Sequence, residues 1–296
     1  MILRDANPSD LAAVYDIWYA TEIVGVPRPP PPRTMPWFGH LLDVGRLVVA
    51  EEGGTVIGFA GLLDLGSCVA LSDLFVRPDR QSQGVGAALL DEVLPSGRPC
   101  VTMASADRRA IASYARRGMR PRWPAYYLSA TAGQVREGAW PALAVHELAL
   151  DEYVWPLPGD VPYHRALGAR PLALDREGVR LGTALIVDAS PQRLFHPDTT
   201  EVLETTVDDT DDAAPAVLAV VAYVLRGGAS RLVVQVPGPH GALAPLLDRG
   251  FAITDVDTAC ASEEGLLADP TRHTMHGESR VATGAPRRRS GSASAG

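Results

Sequence analysis

The sequence of 296 residues contains no lysine, because all 27 residues counted as Lys+Arg are arginines. This absence excludes Schiff-base chemistry, which needs a lysine amine. It also excludes the nucleotide-binding P-loop, whose motif ends in a lysine followed by Ser or Thr.

Cysteine is scarce, and the three cysteines are far apart along the chain: Cys68, Cys100 and Cys260. They form no CxxC spacing, which predicts reduced, mostly buried thiols and no disulfide framework. The histidines of the second half are scattered as well, among them His146, His164, His196 and His240. Because these residues lack the spacing of metal ligands, we expect no metal site.

Targeting and membrane-spanning segments are also missing. The N-terminus, Met-Ile-Leu-Arg-Asp, has no basic segment followed by an apolar core, so we expect no signal peptide. The longest apolar run extends from Ala213 to Leu225 and is shorter than the roughly 18 residues of a membrane span. We therefore expect a soluble, cytoplasmic protein without a membrane partner.

Charge is distributed unevenly. Residues 1–135 are neutral, residues 136–275 carry a net charge of −11, and residues 276–296 carry +3. An acidic body argues against a nucleic-acid partner, since neutralisation of phosphates supplies most of that affinity. The run Arg287–Arg289 lies in a Gly/Ser/Ala-rich end, which predicts a disordered tail over 276–296.

The first half alternates short strands with amphipathic helices. A strand at Ile2–Arg4 precedes a helix that we expect Ser9 to cap, and the Pro-rich stretch Pro27–Pro36 interrupts regular structure. Strands and helices then follow in the order strand 46–51, strand 55–63, strand 69–76, helix 84–94, strand 99–104, helix 107–117 and strand 120–129. This order predicts an α/β protein with a mixed, mostly antiparallel twisted sheet and helices on both faces.

The second half repeats the first. Cys100–Met119 aligns with Leu232–Phe251 at a constant offset of 132, as two strand–turn–helix–Arg-Gly–strand units. Upstream, 170–174, 179–188 and 201–207 predict three strands, and 213–226 predicts the following helix. We therefore predict two tandem domains of one fold, at 1–135 and 136–275. The alternative is a coincidence of two common units.

The loop after the strand ending at Val76 carries the clearest chemical signal. It enters a helix through Gln81-Ser-Gln-Gly84-Val-Gly86. A helix entered through such a loop presents unpaired backbone N–H groups and the positive end of its dipole, which together suit a pyrophosphate. A dinucleotide-binding fingerprint is incomplete, because position 89 is Leu where a third glycine is needed. A purely structural glycine turn is the remaining alternative.

The stretch Asp73-Leu-Phe-Val76-Arg-Pro-Asp-Arg-Gln-Ser82-Gln-Gly84-Val-Gly86 resembles the pyrophosphate-binding motif of the GCN5-related N-acetyltransferase (GNAT) superfamily, V-x-P-x-x-[RQ]-G-x-G-x-[GA]. Ser82 stands where the family commonly has glycine. A second match, from Asp107 to Met119, resembles the family segment N-x-x-A-x-x-x-Y-x-x-x-G-[FM], with Asp107 in place of Asn and Tyr114 at the Tyr position. The resemblance covers residues 1–130.

The resemblance implies an acyltransferase that uses acetyl-CoA without a metal. In the family, the amine attacks the thioester directly in a ternary complex, a base removes the amine proton, and the Tyr protonates the departing thiolate. Tyr114 and Asp73 are thus the implied catalytic residues. The implied coenzyme-binding residues are Leu74, Phe75, Val76, Gln81, Ser82, Gln83, Gly84, Val85, Gly86, Ala87 and Asp107. Trp37, Phe38 and Glu22 are expected in the acceptor pocket, and Asp43 and His40 are weaker base candidates.

The second copy lacks these parts. At the offset of 132, the glycines of the loop become Ala216 and Leu218, and Tyr114 becomes Leu246. The acidic run Asp208–Asp212 also replaces the loop and would repel a pyrophosphate. We therefore expect a degenerate domain that walls the substrate pocket or mediates dimerisation.

These features predict transfer of an acetyl group to an amine of a small molecule such as an antibiotic, an amino sugar or a polyamine-like compound. Two alternatives stay open. A non-catalytic acyl-CoA sensor or scaffold would keep the loop without needing Tyr114, and an enzyme could instead acetylate protein N-termini or lysines. The sequence does not define the acceptor.

Overall fold

The structure is a computed structural model that describes residues 1–22, 35–155, 157, 159–191, 193 and 197–275. The Pro-rich stretch up to residue 34, His196 and the tail from residue 276 lie outside the described residues, and so do the predictions made for them. Within the described part, no helix is long and apolar enough to cross a membrane.

The first half contains six strands and four helices among its described residues, in the order β1 (Ile2–Asp5), α1 (Leu11–Glu22), α2 (Pro36–Val44), β2 (Arg46–Glu52), β3 (Thr55–Asp64), β4 (Val69–Val76), α3 (Val85–Val93), β5 (Cys100–Ala104), α4 (Arg108–Arg116) and β6 (Arg120–Thr131). This order confirms the prediction, with element ends shifted by no more than a few residues. One local prediction is wrong: Asn7, not Ser9, caps the turn that leads into α1. The Asn7 side chain accepts the Ser9 N–H, and Asp10 accepts the Asn7 N–H in return.

The second half repeats this order with one helix fewer, as β7 (Ala144–Glu147), α5 (Asp160–Ala166), β8 (Ala169–Arg176), β9 (Val179–Val187), β10 (Thr199–Val207), α6 (Thr210–Arg226), β11 (Arg231–Pro237), α7 (Leu243–Asp248), β12 (Ala252–Ala261) and a short additional strand, β13 (His273–Met275). Helix α5 directly precedes β8, as α2 directly precedes β2. The predicted tandem α/β fold is therefore confirmed, while the boundary at residue 135 stays a prediction.

All strands belong to one mixed sheet in which the two halves exchange their last strands. The order is β1-β2-β3-β4-β5-β12-β6-β11-β10-β9-β8-β7, with β13 added beside β10. Strand β12 of the second half lies between β5 and β6, and β6 of the first half lies between β12 and β11. No sequence pattern predicts this exchange, which makes each half incomplete without the other.

The register of the exchanged strands supports the duplication. Val101 of β5 pairs with Ala261 of β12, and Val233 of β11 pairs with Ser129 of β6. The two pairs are related by adding 132 to the first residue and subtracting 132 from the second. Equivalent positions thus meet equivalent partners across the centre of the sheet.

Apolar side chains cover both faces of the sheet in the first half. Helices α1 and α2 bury Tyr15, Phe38 and Leu41 on one face, and α3 buries Leu89 and Leu90 on the other. In the second half the long helix α6 buries most of its length on one face, whereas the opposite face has only a small cluster beside α5. That sparsely covered face leaves room for a cavity between the halves.

Candidate active site

Strands β4 and β5 separate midway along their length and form a gap in the sheet. They pair in parallel only from Val69 with Cys100 to Leu71 with Thr102. Beyond this point, β4 pairs among the described residues only with β3, which lies on its other side. The backbone groups of Ser72–Phe75 that face the gap are thus available to an extended ligand, whereas the Val76 carbonyl accepts a hydrogen bond from the Gln81 amide.

A bulge in β4 sets the direction of Asp73. In the ladder with β3, Leu71 pairs with Leu62 and Asp73 pairs with Gly61, so that Ser72 is an extra residue. Because side chains alternate along a strand, the extra residue moves Asp73 to the face covered by α2 instead of the face covered by α3. Gly61 permits this arrangement, since a Cβ there would lie 3.1 Å from the Asp73 Oδ2 atom and 2.3 Å from Leu41.

The loop between β4 and α3 needs left-handed backbone at two positions. Ser82 has φ +62° and Gly84, the N-cap of α3, has φ +85°. Glycine adopts these angles freely, whereas serine is strained there. The glycine that the resemblance places at position 82 therefore has a conformational reason, and Ser82 keeps the same loop shape at some cost.

The start of α3 offers donors for an anion. The first backbone N–H of the helix to find an acceptor is that of Ala88, which bonds the Gly84 carbonyl. Among the described residues, no acceptor is found for the N–H groups of residues 81–87. Gly84 and Gly86 line the cavity, and a Cβ at either would clash with no protein atom. The loop thus fits a pyrophosphate, with its N–H groups and glycines turned to the space that a coenzyme would occupy.

One cavity of about 1420 Å³ joins this loop to the gap in the sheet and to the second half. From the first half, its lining includes α1, the start of α2, β4, the loop and α4. From the second half, α5, β10, β11 and β12 contribute, including Tyr163, His164, Glu201 and Asp257. The lining combines backbone donors at one end with carboxylates and aromatic rings at the other.

Asp73 is buried and held by an indole. Its side chain is 9% exposed, and its Oδ2 atom accepts the Trp37 Nε1–H at 2.9 Å. Burial raises the pKa of Asp73 above its ordinary value, and the hydrogen bond from Trp37 opposes part of the rise. Since Asp73 also lines the cavity, the arrangement is a carboxylate with increased basicity next to the acceptor space.

Tyr114 lies on the opposite side of the sheet, on α4, and also lines the cavity. Tyr114 is 6% exposed. Burial, with smaller effects from Cys260 and Asp73, raises the pKa of Tyr114 well above its ordinary value. The hydroxyl therefore stays protonated at neutral pH, as a proton donor must.

The other predicted residues divide into two groups. Glu22, Trp37, Leu74, Phe75, Val76, Gln81, Ser82, Gly84, Gly86, Ala87 and Asp107 line the cavity. The side chains of Phe38, Gln83 and Val85 do not belong to that lining. Phe38 is 1% exposed and packs on Phe59, which argues against its predicted place in the acceptor pocket. The Gln83 amide donates to the Asp79 carbonyl, and the Val85 side chain packs in the core at the start of α3, so these two residues face the loop with their backbone N–H groups only.

Asp107 lines the cavity and also caps a helix. Its carboxylate caps α4 by accepting the Arg109 N–H at 2.8 Å, and the Arg109 guanidinium lowers the pKa of Asp107. The weaker base candidates behave differently: His40 is buried against the second half, and Asp43 is absent from the cavity lining.

Sequence reasoning missed several residues of the cavity. Arg80 and Arg109 flank the loop and add positive charge where a pyrophosphate would lie. Tyr163, His164 and Asp257 come from the second half. No motif marks them, because the fold and the strand exchange alone bring them to the site.

The second half has closed its equivalent site. Helix α6 begins two residues after the end of β10, with Asp209 as its N-cap, so the eight-residue loop of the first half has no counterpart. Strand β13 then pairs with β10 from Glu204 to Thr206, where the equivalent stretch of β4 faces the open gap. Leu246, at the position of Tyr114, is fully buried. These changes leave a single coenzyme-like site among the described residues.

No group of three or more His, Cys, Asp or Glu side chains in the described part of the chain is arranged to hold a metal ion. The three cysteines are all buried, with free thiols.

Comparison with known proteins agrees with this geometry. Residues 11–119 match the model of the Acetyltransferase (GNAT) family. The first half of the chain is therefore similar to the GNAT family, whose members use acetyl-CoA as a co-substrate. None of the curated protein sequences shows significant similarity to this chain.

Three solved structures share the fold across most of the chain. A protein of Pyrococcus horikoshii described as an acetyltransferase is 14% identical with a TM-score of 0.65, over 92% of this chain and 90% of its own. A tandem GNAT protein from the clavulanic acid biosynthesis pathway is 16% identical with a TM-score of 0.58, over 88% and 97%. The glucosamine N-acetyltransferase region of a fungal multi-domain β-N-acetylglucosaminidase is 14% identical with a TM-score of 0.62, over 88% and 38%.

Proposed function

We propose that this protein is an N-acetyltransferase that transfers an acetyl group from acetyl-CoA to an amine of a small molecule. The observation that carries the proposal is the single cavity that contains the donor-rich loop, the buried Asp73 and the protonated Tyr114. A sensor of acyl-CoA would need the loop, but it would not need a base and an acid facing the same space.

Each residue has a distinct task in this proposal. The N–H groups of residues 81–87, with Arg80 and Arg109, hold the pyrophosphate, and the free edge of β4 aligns the pantetheine arm. Acetyl-CoA supplies an activated thioester. Asp73 removes a proton from the attacking amine, directly or through water, and the Tyr114 hydroxyl supplies a proton to the departing sulfur.

The lining of the cavity favours a cationic acceptor. Among the described lining residues, carboxylates outnumber arginines by seven to four. Two of the arginines, Arg80 and Arg109, lie at the coenzyme end. The carboxylates are Glu22, Asp73, Asp107, Asp198, Glu201, Asp255 and Asp257, and the other two arginines are Arg193 and Arg231. Trp37 and Tyr163 add ring surfaces. Carboxylates and aromatic rings together attract ammonium groups. The enclosure by the second half favours a small molecule over a protein N-terminus or lysine side chain. The amino-sugar activity named for the fungal relative is consistent with such an acceptor.

Steady-state thiol release with a panel of amines tests the proposal. We expect Tyr114→Phe to lower kcat by about tenfold or more, because it removes the proton donor at the sulfur and keeps the buried ring. Binding of acetyl-CoA, followed by calorimetry, should stay at the wild-type level. No turnover of any amine by the wild type despite coenzyme binding would favour the sensor. Equal turnover in the variant would instead remove the role assigned to Tyr114.

A further inference from the structure

Helix α2 of the first half and helix α5 of the second half meet through a buried polar pair. The His40 Nε2 atom lies 3.1 Å from the Asp160 Oδ1 atom, and the two side chains are 6% and 4% exposed. The other oxygen of Asp160 accepts the Leu157 N–H at 3.0 Å, which fixes the loop that leads into α5. This pair joins the two halves on the acceptor side of the cavity.

Aromatic contacts tie the same junction to Trp37. The Tyr163 ring of α5 stacks on His40, with centroids 4.5 Å apart and planes 16° apart, and it meets the edge of Trp37 at 5.8 Å. The helices also approach closely, since a Cβ on Gly159 would lie 2.2 Å from a methyl group of Val44. The indole is therefore held between α5 on one side and Asp73 on the other.

A buried pair of this kind contributes little net stability. Desolvation of the carboxylate and imidazole offsets most of the attraction between them, so an apolar pair of similar volume would serve packing equally well. What such a pair does provide is one defined arrangement, because any shift of α5 along α2 breaks the buried contact between His40 and Asp160. The location of the pair, one helical turn after Trp37, indicates what that arrangement positions.

We propose that Asp160 and His40 are positioning residues, through which the second half holds the Trp37 indole on the Asp73 carboxylate. The inference rests on the proposed role of Asp73 as the base. The second half then does more than wall the cavity, because it sets the geometry and basicity of a group that the first half contributes to the reaction. This would explain why the α2–α5 contact persists although the second copy has lost its own loop and its own tyrosine.

A double-mutant cycle on the full chain tests the proposal. Trp37→Phe removes the indole N–H, and Asp160→Asn keeps an acceptor for Leu157 while weakening the bond to His40. We expect each change to lower kcat about tenfold, the effect of one lost hydrogen bond of about 1.4 kcal/mol, with an unchanged KM for acetyl-CoA. The double variant should be no slower than Trp37→Phe alone, because both changes act through the same contact.

The pH profile of kcat supplies a readout that a merely structural role would not move. A donor to an ionised carboxylate favours its charged form, so its loss shifts the acid limb to higher pH in both variants. Asp175→Asn is the matched control, because Asp175 is a partly buried carboxylate of the second half that pairs with His146 and Arg180 and is absent from the cavity lining. If Asp160→Asn does not fold, as judged by circular dichroism, His40→Phe replaces it, since Phe keeps a ring against Tyr163 and removes the nitrogen that contacts Asp160.

The outcomes separate this inference from the proposed function. Multiplicative effects in the cycle, or an Asp160→Asn profile identical to that of the wild type, would overturn the positioning role and leave Asp73 as the base. Wild-type kcat in Asp73→Asn would instead remove the base assignment itself. A shifted acid limb in both single variants, with no further loss in the double variant, supports the inference.

Discussion

The exchange of strands predicts that the first half cannot form a stable monomer. Residues 1–135 expressed alone lack β12, which pairs with nine residues of β6 and four of β5. With roughly one hydrogen bond per paired residue, at about 1 kcal/mol net each, the loss is on the order of 10 kcal/mol. This equals the whole folding free energy of a typical domain, roughly 5–15 kcal/mol.

Because β6 and β12 are equivalent strands in equivalent register, the isolated half can complete its sheet by dimerisation. Two copies can exchange β6, so that each supplies the strand that β12 supplies in the full chain. We therefore expect residues 1–135 either to be unfolded or to form such a dimer, whose melting temperature rises with protein concentration. Adding residues 136–275 should displace the dimer in favour of a complex of the two halves.

Light scattering after size exclusion, combined with thermal melts at several concentrations, checks this prediction. The full chain, whose melting should not depend on concentration unless it also associates, is the control. A folded monomer of residues 1–135 with a sharp, concentration-independent transition would refute the reasoning. It would mean that β6 can close on β5 within one half, and that the exchange contributes little to the stability of the fold.

Three further predictions concern single positions. Both Ser82 and Gly84 need left-handed backbone, so Ser82→Gly should raise the free energy of unfolding by up to about 1 kcal/mol and Gly84→Ala should lower it by about 1–2 kcal/mol, as measured by urea titration. Gly84→Ala should also raise KM for acetyl-CoA, as measured by thiol release. Burial lowers the pKa of His240 to about 4, so stability should fall as pH drops from about 6.5 to 4 while the unfolded chain takes up the proton. His240→Asn, which can still accept the Ala242 N–H, should lessen that fall by up to about 3 kcal/mol in urea titrations. Burial raises the pKa of Cys260 to about 11, so iodoacetamide should label this thiol only after unfolding, as followed by mass spectrometry.

Two of these outcomes would contradict the physical account. If Ser82→Gly destabilises the protein, the strain assigned to the loop is absent. If His240→Asn shows the same acid dependence as the wild type, the proton uptake that weakens the fold occurs elsewhere.

The local motif could be interpreted from the sequence because its chemistry is contiguous. Gly84, Gly86 and the preceding strand determine a helix start with free N–H groups whatever surrounds them. Tyr114 followed by Gly118 could be placed in the same way, since a short helix fixes their separation. The sequence could not show that Trp37 lines the cavity while Phe38 lies in the core. The two aromatic residues are neighbours on one helix, and which of them faces the core depends on how that helix packs.

The acceptor side of the cavity depends on contacts between distant segments. The bond from Trp37 to Asp73 requires the bulge at Ser72, and the pair of His40 with Asp160 spans 120 positions of the chain. Neither leaves a pattern in the sequence, since each arises only when packed elements meet.

By itself, the sequence determined the element order, the duplication and the one loop fit for a coenzyme, because periodicity and turn chemistry act over a few neighbouring residues. Only the tertiary structure decided that the halves exchange β6 and β12, that β13 closes the second site, and that both halves line one cavity. Strand pairing and burial depend on which of several pairings between distant segments is the most stable. For that reason β12 completes the sheet beside β5, although β6 carries an equivalent pattern much closer in sequence.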